Sequence, residues 1–525
     1  MMRRLVALLL LAMPLPALAQ SIPVEEQSID QLSAAMASGQ ASSESITAAY
    51  LDRIAKMDRA GPTLRAVIAV NPDALAMAKA SDARRKKHKL LGPLDGVPIL
   101  IKDNIETRDP IATTAGSLAL KDNITGRDAP MVALLRKQGA VILAKANLSE
   151  WANIRSTKAM SGWSGVGGLV RNPYALDRSA CGSSSGTGAG IAASYAAAGI
   201  GTETDGSVVC PSSMNGLVGL KPTVGLVSRT YVVPISHSQD TPGPMARSVK
   251  DAAILFSAMV GSDAADPATK DADTHRKDYS KGLSADGLKG VRIAVLHVDM
   301  PALEKLRFDA ALAILKAQGA VLVDVTDKPK TDGMGDAESD VLKFELKTDL
   351  DKYLATTPAA VKTRTLADVI AFNQANADTE LPFFGQELFE MAAASKGVDE
   401  PTYKARREKS LTLAKGAIDT ILKNANATML VEPTYGPTWP SDVVSGDFFN
   451  APSSSELPAI SGYPNLTVPM GLVRGLPVGI SFVGPAYSEQ ALLNAGYAYE
   501  QAAKARVAPG YAPSADAGPA IDGTR

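Results

Sequence analysis

The chain has 525 residues, of which 46% are hydrophobic and 21% charged, with a formal net charge of −1. That composition is globular and the length is enough for a large buried core. The balanced charge excludes the electrostatic footprint of a nucleic-acid-binding or membrane-surface protein. The one basic run, Arg84-Arg85-Lys86-Lys87-His88-Lys89, reads as the solvated end of a helix.

Residues 1–19 read as a cleavable signal peptide. Met1-Met2-Arg3-Arg4 is positive, and Leu5 to Pro16 is apolar but too short to span a bilayer. Ala17-Leu18-Ala19 before Gln20 has the small-residue pattern of a cleavage site. The expected location is therefore periplasmic or secreted, and the short Arg-led segment suits a bacterial periplasm. No later apolar run is long enough to be a membrane span.

From there the apolar period alternates between helix and strand. Asn71-Pro72 opens a helix that runs to about Lys87. Val97 to Ile101 has the β-branched character of a strand. A helix over Met131 to Gln138 stops at Gly139 and leads into a buried strand, Val141-Ile142-Leu143. Ser184 to Ala198 reads as a helix of small residues. Strands over Arg292–Val298 and Ala320–Val325 flank a helix from about Ala302 to Gln318. Leu466–Pro469 and Pro477–Val483 read as strands, and Ser488–Ala505 as a closing helix. This order predicts an α/β fold: one large α/β/α sandwich around a mixed, mostly parallel sheet. The expected domain covers residues 20–507, with 300–450 as a variable region shaping the substrate pocket. The polar stretch 260–290 reads as a surface insertion, and the Pro/Ala/Gly-rich tail 508–525 as disordered.

The two cysteines, Cys181 and Cys210, and four scattered histidines supply no metal site, and no cofactor is expected. An exported chain permits a disulfide. The simpler reading is two buried, inert thiols packed under the site.

The segment Cys181-Gly182-Ser183-Ser184-Ser185-Gly186-Thr187-Gly188-Ala189-Gly190 stands out, because such runs let backbone N–H groups approach a ligand. It lacks the Gly-Lys-Ser/Thr ending of a phosphate loop and the spacing of a dinucleotide loop. Gly182-Ser183-Ser184-Ser185-Gly186 fits a nucleophile elbow centred on Ser184, but that mechanism needs a downstream histidine and none follows His297. By itself the run could also be a flexible lead into a close-packed helix.

Its neighbours decide the reading. Upstream stands Gly96-Val97-Pro98-Ile99-Leu100-Ile101-Lys102-Asp103-Asn104, and downstream Gly201-Thr202-Glu203-Thr204-Asp205-Gly206-Ser207. Lys145-Ala146-Asn147-Leu148-Ser149-Glu150-Trp151, Gly219-Leu220-Lys221-Pro222-Thr223, Asp240-Thr241-Pro242-Gly243-Pro244-Met245 and Gly462-Tyr463-Pro464-Asn465 follow the same pattern. Together these segments resemble the amidase signature family over roughly residues 30–505. The resemblance implies that family's fold and a catalytic lysine at Lys102. It also implies a bridging serine on a cis peptide at Ser183 and a nucleophile at Ser207. It places the oxyanion hole at the backbone N–H groups of Thr204, Asp205, Gly206 and Ser207.

The residue types suit amide hydrolysis. A serine hydroxyl needs a base, and a lysine can be one near neutrality only if burial lowers its pKa. The apolar run before Lys102 provides that burial. The expected reaction is carboxamide hydrolysis through an acyl-enzyme on Ser207, with protons relayed by Ser183.

Where the family commonly has Gly-Gly-Ser and then Ile-Arg, this chain has Asp205-Gly206-Ser207 and Val208-Val209. An arginine there would suit a substrate carboxylate, so its absence argues against small acidic amides. These departures, and Phe383-Phe384-Gly385-Gln386-Glu387-Leu388, are similar to the bacterial peptide amidase branch. The expected substrate is a peptide C-terminal amide or amino-acid amide, with ammonia released. Rival readings are hydrolysis of fatty or aryl amides or esters by the same triad, the amidotransferase subunit acting on charged tRNA, and a non-catalytic binding protein that keeps the fold.

Overall fold

The computed structural model describes residues 23–449 and 452–515. The expected signal peptide and the last ten residues of the tail lie outside them. Eleven strands form one sheet: β1 (Val67–Val70), β2 (Pro98–Lys102), β3 (Val141–Ala146), β4 (Ala198–Glu203), β5 (Val218–Lys221), β6 (Thr241–Ala246), β7 (Arg292–Val295), β8 (Val321–Asp324), β9 (Met429–Pro433), β10 (Asn465–Val473) and β11 (Leu476–Val483). Their order across the sheet is β1-β3-β2-β4-β6-β5-β10-β11-β9-β7-β8.

The sheet is mixed, as expected, but it is not mostly parallel. Four pairings are parallel (β2–β3, β2–β4, β7–β8, β7–β9) and six are antiparallel. The difference arises in the middle of the sheet. There β10 and β11 form a hairpin across Arg474-Gly475, and β4, β6, β5 and β10 pair antiparallel in turn. Only the flanks use the helical crossovers that make strands parallel.

β2, β3 and β4 are fully buried along their length, which explains their continuous apolar or small-residue runs. The helix Ser185–Ala192 packs beneath them. A Cβ on Gly186 would stand 2.3 Å from the Ala66 carbonyl oxygen and 2.5 Å from that of Asn147, so only glycine permits this approach. That helix is shorter than the span 184–198 suggested by composition. Ser194 takes φ +57°, Tyr195 N–H closes back onto the Gly190 carbonyl at 2.8 Å, and the remaining alanines turn into β4. Alanine-rich sequence reads as helix by propensity, and here tertiary packing overrides it.

The helices Met334–Ala355, Leu366–Ala375, Glu387–Ala394 and Tyr403–Ala425 fill most of the region between β8 and β9. A separate apolar cluster, including Leu346, Leu350, Leu354, Val369 and Phe389, holds three of them against Leu120 and Trp151. The stretch 260–290 forms short 3-10 turns, anchored by Tyr279 against Phe256 at 4.6 Å between ring centroids. The tail is not free at its start. Tyr511 N–H donates to the Pro173 carbonyl at 2.9 Å, and Ala512 bridges Ala175. Tyr511 also receives a hydrogen bond from Arg53 at 3.1 Å, so an aromatic anchor orders residues whose composition suggested disorder. No helix among the described residues is long and apolar enough to cross a membrane.

Candidate active site

Parallel pairing of β2 with β4 brings their C-terminal ends to one edge of the sheet, where open α/β folds place their ligands. Lys102 is the last residue of β2, and the turn 204–207 follows the last residue of β4. Ser183 arrives from the segment before the helix Ser185–Ala192, across a cis Gly182–Ser183 peptide.

Lys102 is wholly buried. Its Nζ lies 2.8 Å from Ser183 Oγ, 3.1 Å from the Thr202 carbonyl oxygen and 2.8 Å from Thr202 Oγ1. Desolvation pushes its pKa down to about 7, against the opposing pull of the Asp240 and Glu203 carboxylates. Nζ thus donates in three directions, to Ser183 and twice to Thr202, which uses the full donor capacity of a lysine side chain. Asn104 Nδ2 donates to the same Thr202 Oγ1 at 2.9 Å and fixes its position. Thr202 stood in a quoted motif, but sequence reasoning gave it no role.

Lys145 runs alongside on β3. Its ammonium reaches the Ile105 carbonyl at 2.6 Å, Thr113 Oγ1 at 2.8 Å and Asp103 Oδ1 at 3.3 Å. Asp103 also accepts from Thr114 N–H at 3.0 Å. This buried network braces the loop that begins at Lys102. Of the two lysines, Lys102 is the one bonded to a serine.

The turn Thr204–Ser207 is held from both sides. The buried Glu203 carboxylate accepts the Val208 and Val209 N–H groups at 2.7 and 3.0 Å. Thr204 Oγ1 donates to Asp240 Oδ1 at 2.6 Å, while Asp240 Oδ2 accepts from Ile235 and Ser236 N–H at 2.8 and 2.9 Å. Burial raises the Asp240 pKa to about 6 despite these donors. Gly206 takes φ +79°, and a Cβ there would lie 2.4 Å from the Tyr435 hydroxyl, so both conformation and space demand glycine. Neither Glu203 nor Asp240 was singled out individually from sequence.

Ser183, Ser184 and Ser185 are all buried but differ in their partners. Ser184 Oγ is engaged by the Thr202 peptide, accepting from its N–H at 3.2 Å and lying 3.1 Å from its carbonyl oxygen. Ser185 Oγ donates to the Cys181 carbonyl at 2.5 Å. Of these three serines, Ser183 is the one that meets the lysine, whereas the elbow-motif serine, Ser184, is bonded to the Thr202 peptide.

The cysteines overturn the reading as free thiols. Cys181 and Cys210 form a disulfide, with Cα atoms 6.0 Å apart. It ties the segment just before Ser183 to the helix Val209–Met214 just after Ser207. Sequence pointed both cysteines toward the site but gave no distance between their loops.

An open cleft of about 180 Å3 lies over these groups. Ser207, Thr204, Asp205, Gly182 and the disulfide form its floor, and Leu342, Tyr435 and Phe449 come from the region read as variable. Outside the cleft, His237, Glu345 and Asp349 bring potential metal-ligating atoms within 4.8 Å of one another. They already bond one another and their neighbours. His237 Nδ1 sits 2.7 Å from Asp349, and Glu345 accepts from Ser238 at 2.9 Å and Tyr403 at 2.7 Å. This cluster pins the loop preceding Asp240 to the covering helices.

The amidase family model matches residues 45–493. A probable amidase of Arabidopsis thaliana is 38% identical over 502 residues, 94% of this chain and 93% of that protein. The crystal structure of a peptide amidase from Stenotrophomonas maltophilia is 47% identical and superimposes with a TM-score of 0.87 over 93% of this chain and 99% of its own. An amidase family protein of Bacillus anthracis is 36% identical, with a TM-score of 0.84 over 93% and 92% of the two chains. The chain belongs to the amidase family, and it is a hydrolytic amidase.

Proposed function

We propose that this amidase hydrolyses C-terminal carboxamides of peptides, or amino-acid amides, by a Ser–Ser–Lys mechanism that releases ammonia. The observation that carries the mechanism is the fully buried Lys102 amine, 2.8 Å from Ser183 Oγ, with its pKa brought down to about 7. A neutral Lys102 takes the Ser183 proton as Ser183 takes that of Ser207. Ser207 Oγ then adds to the amide carbonyl. The proton returns through Ser183 to the departing nitrogen, the C–N bond breaks, and an acyl ester remains on Ser207. Water activated by the same relay hydrolyses the ester and regenerates the serine.

The backbone N–H groups of Thr204, Asp205, Gly206 and Ser207 serve as oxyanion donors. Support for this comes from the turn itself: Glu203 occupies the N–H groups immediately beyond it, and Thr204, Asp205 and Ser207 line the cleft. The preference for peptide amides rests on the likeness to the Stenotrophomonas enzyme and on the Val208-Val209 pair, which offers no cation for an acidic substrate. Phe449 and Leu342 give the cleft an apolar wall for a substrate side chain. We further propose that the enzyme works outside the cytoplasm; the Cys181–Cys210 disulfide suits an oxidising compartment.

The test is ammonia release from a panel of peptide amides, fatty amides and anilides. Peptide amides are expected to give the highest kcat/KM, and Ser207→Ala is expected to abolish turnover. Equal turnover of all three classes, or activity surviving Ser207→Ala, would overturn the reading.

A further inference from the structure

The cleft is also lined by part of a run of three consecutive non-glycine residues in the left-handed region. Trp151, Ala152 and Asn153 follow one another with φ of 50°, 54° and 75°. Positive φ is uncommon for any residue other than glycine, because in a left-handed turn Cβ crowds the following carbonyl oxygen. Asparagine tolerates it; tryptophan and alanine do not. Such a turn persists only when its surroundings enforce it, and turns of this kind gather at ligand sites.

The surroundings here do enforce it. Trp151 N–H donates to the Ala115 carbonyl at 2.9 Å, and Glu150 N–H to the Trp163 carbonyl at 2.9 Å. The Trp151 ring sits edge-on to Phe389 at 5.8 Å. On the far side of the turn, the wholly buried Arg155 reaches back to Glu150 Oε1 at 2.5 Å and to the Glu380 carbonyl at 2.6 Å. Two fixed ends therefore hold three left-handed residues between them.

Ala152, Asn153 and Ile154 all line the cleft that contains Ser207. Asn153 Oδ1 is shielded from solvent yet has no hydrogen-bond partner. A shielded, unpaired carboxamide oxygen is destabilising, and that cost is recovered when a ligand supplies the missing partner. Anchored backbone and unpaired side chain thus point to one purpose.

We propose that Asn153 is a specificity-determining residue: its carboxamide pairs with the amide unit that precedes the scissile carboxamide of the substrate. A carboxamide carries a donor and an acceptor in one plane, which matches the C=O and N–H of a peptide unit. A peptide amide or an N-acylated amino-acid amide has that second amide unit. A simple fatty or aryl amide does not, and on binding would leave the Asn153 oxygen unpaired. This inference rests on the peptide-amide reading given above and supplies its basis for discrimination.

The test compares N-acetylphenylalaninamide with 3-phenylpropanamide, which has the same ring and scissile group but no second amide. Their dissociation constants are measured by calorimetry with the Ser207→Ala chain, with and without Asn153→Gly. Glycine accepts φ of 75° without strain, so this change removes only the side chain. Asn153→Asp, of the same shape, keeps the acceptor and removes the donor.

Asn153→Gly is expected to weaken binding of N-acetylphenylalaninamide by about 10- to 100-fold and to change that of 3-phenylpropanamide by less than about threefold. Asn153→Asp is expected to fall between. Equal weakening of both compounds, no weakening, or no measurable binding of the acylated compound overturns the assignment. Ammonia release by the unmodified chain is measured in parallel. Its absence with N-acetylphenylalaninamide overturns the peptide-amide reading instead, so the two failures are distinguishable.

Discussion

Two regions enclose the cleft, and they are built on different principles. The strand ends and turns around Lys102, Ser183 and Ser207 are held by buried polar bonds, each with a specific partner: Lys102 on Ser183 and Thr202, Lys145 on Asp103, Glu203 on two backbone N–H groups, Asp240 on Thr204. The helical cover between β8 and β9 is held by an apolar cluster around Leu346, Leu350 and Phe389, with polar pins at its edge such as Gln239 to Glu338 at 2.8 Å. Buried polar groups are costly to leave unpaired, so the first region tolerates few substitutes. Apolar packing is satisfied by volume and pattern, so the second can change its residues and keep its shape. One region therefore fixes the chemistry, while the other supplies walls that can differ between relatives.

The comparison predicts where function and stability separate. The largest effect is expected in the relay. Lys102→Met and Ser183→Ala should each lower kcat/KM by about 10^3-fold or more, and the double variant should be little worse than either single one, because the groups act as a unit. Steady-state kinetics on a peptide amide measures this; additive losses would separate their roles. Next comes Gly206→Ala, whose new Cβ meets the Tyr435 hydroxyl and whose φ disfavours alanine. If the turn before Ser207 supplies the oxyanion donors as proposed, distorting it should cost about 10^2- to 10^3-fold in kcat with little change in KM.

Replacing both Cys181 and Cys210 by serine opens a bridge across 29 residues of sequence. Loss of about 3–4 kcal/mol in chemical denaturation is expected, with kcat falling because the bridge joins the segments carrying both serines. The smallest effect on turnover is expected in the cover. Leu350→Ala should remove about 2–5 kcal/mol of stability, raise KM, and leave kcat within about threefold of the parent. A kcat collapse there would show that the two regions are not built as differently as their bonding suggests.

The same contrast explains what sequence reveals. The end of β2 and the glycine before Ser207 are legible because each position demands one residue type for a physical reason, while the choice of Ser183 over Ser184 came from the resemblance to the family's motif spacing. Strands β2, β3, β7, β8, β10 and β11 were legible through period and turn residues, whereas β1, β4, β5, β6 and β9 were not, and most of the helices between β8 and β9 left no clear boundary. The balance of parallel and antiparallel pairing was not, because it depends on which strands meet, as with β10 against β5. The disulfide needed a distance between two loops. Thr202, Glu203 and Asp240 were visible only as members of motifs, since a bracing role depends on the partner. Asn153 left no periodic signal at all: its significance lies in backbone conformation, and Trp-Ala-Asn reads as ordinary sequence.

The central claim is that a neutral Lys102 drives the relay, and the pH dependence of kcat/KM on a peptide amide tests it most directly. Burial brings the Lys102 pKa down to about 7, so the amine is a base above that pH and is protonated and inactive below it. The account predicts a rate that is level above about pH 7 and falls about tenfold per unit of pH below it. A rate that stays level down to pH 5, or a limb that tracks Asp240→Asn instead of Lys102, would contradict it.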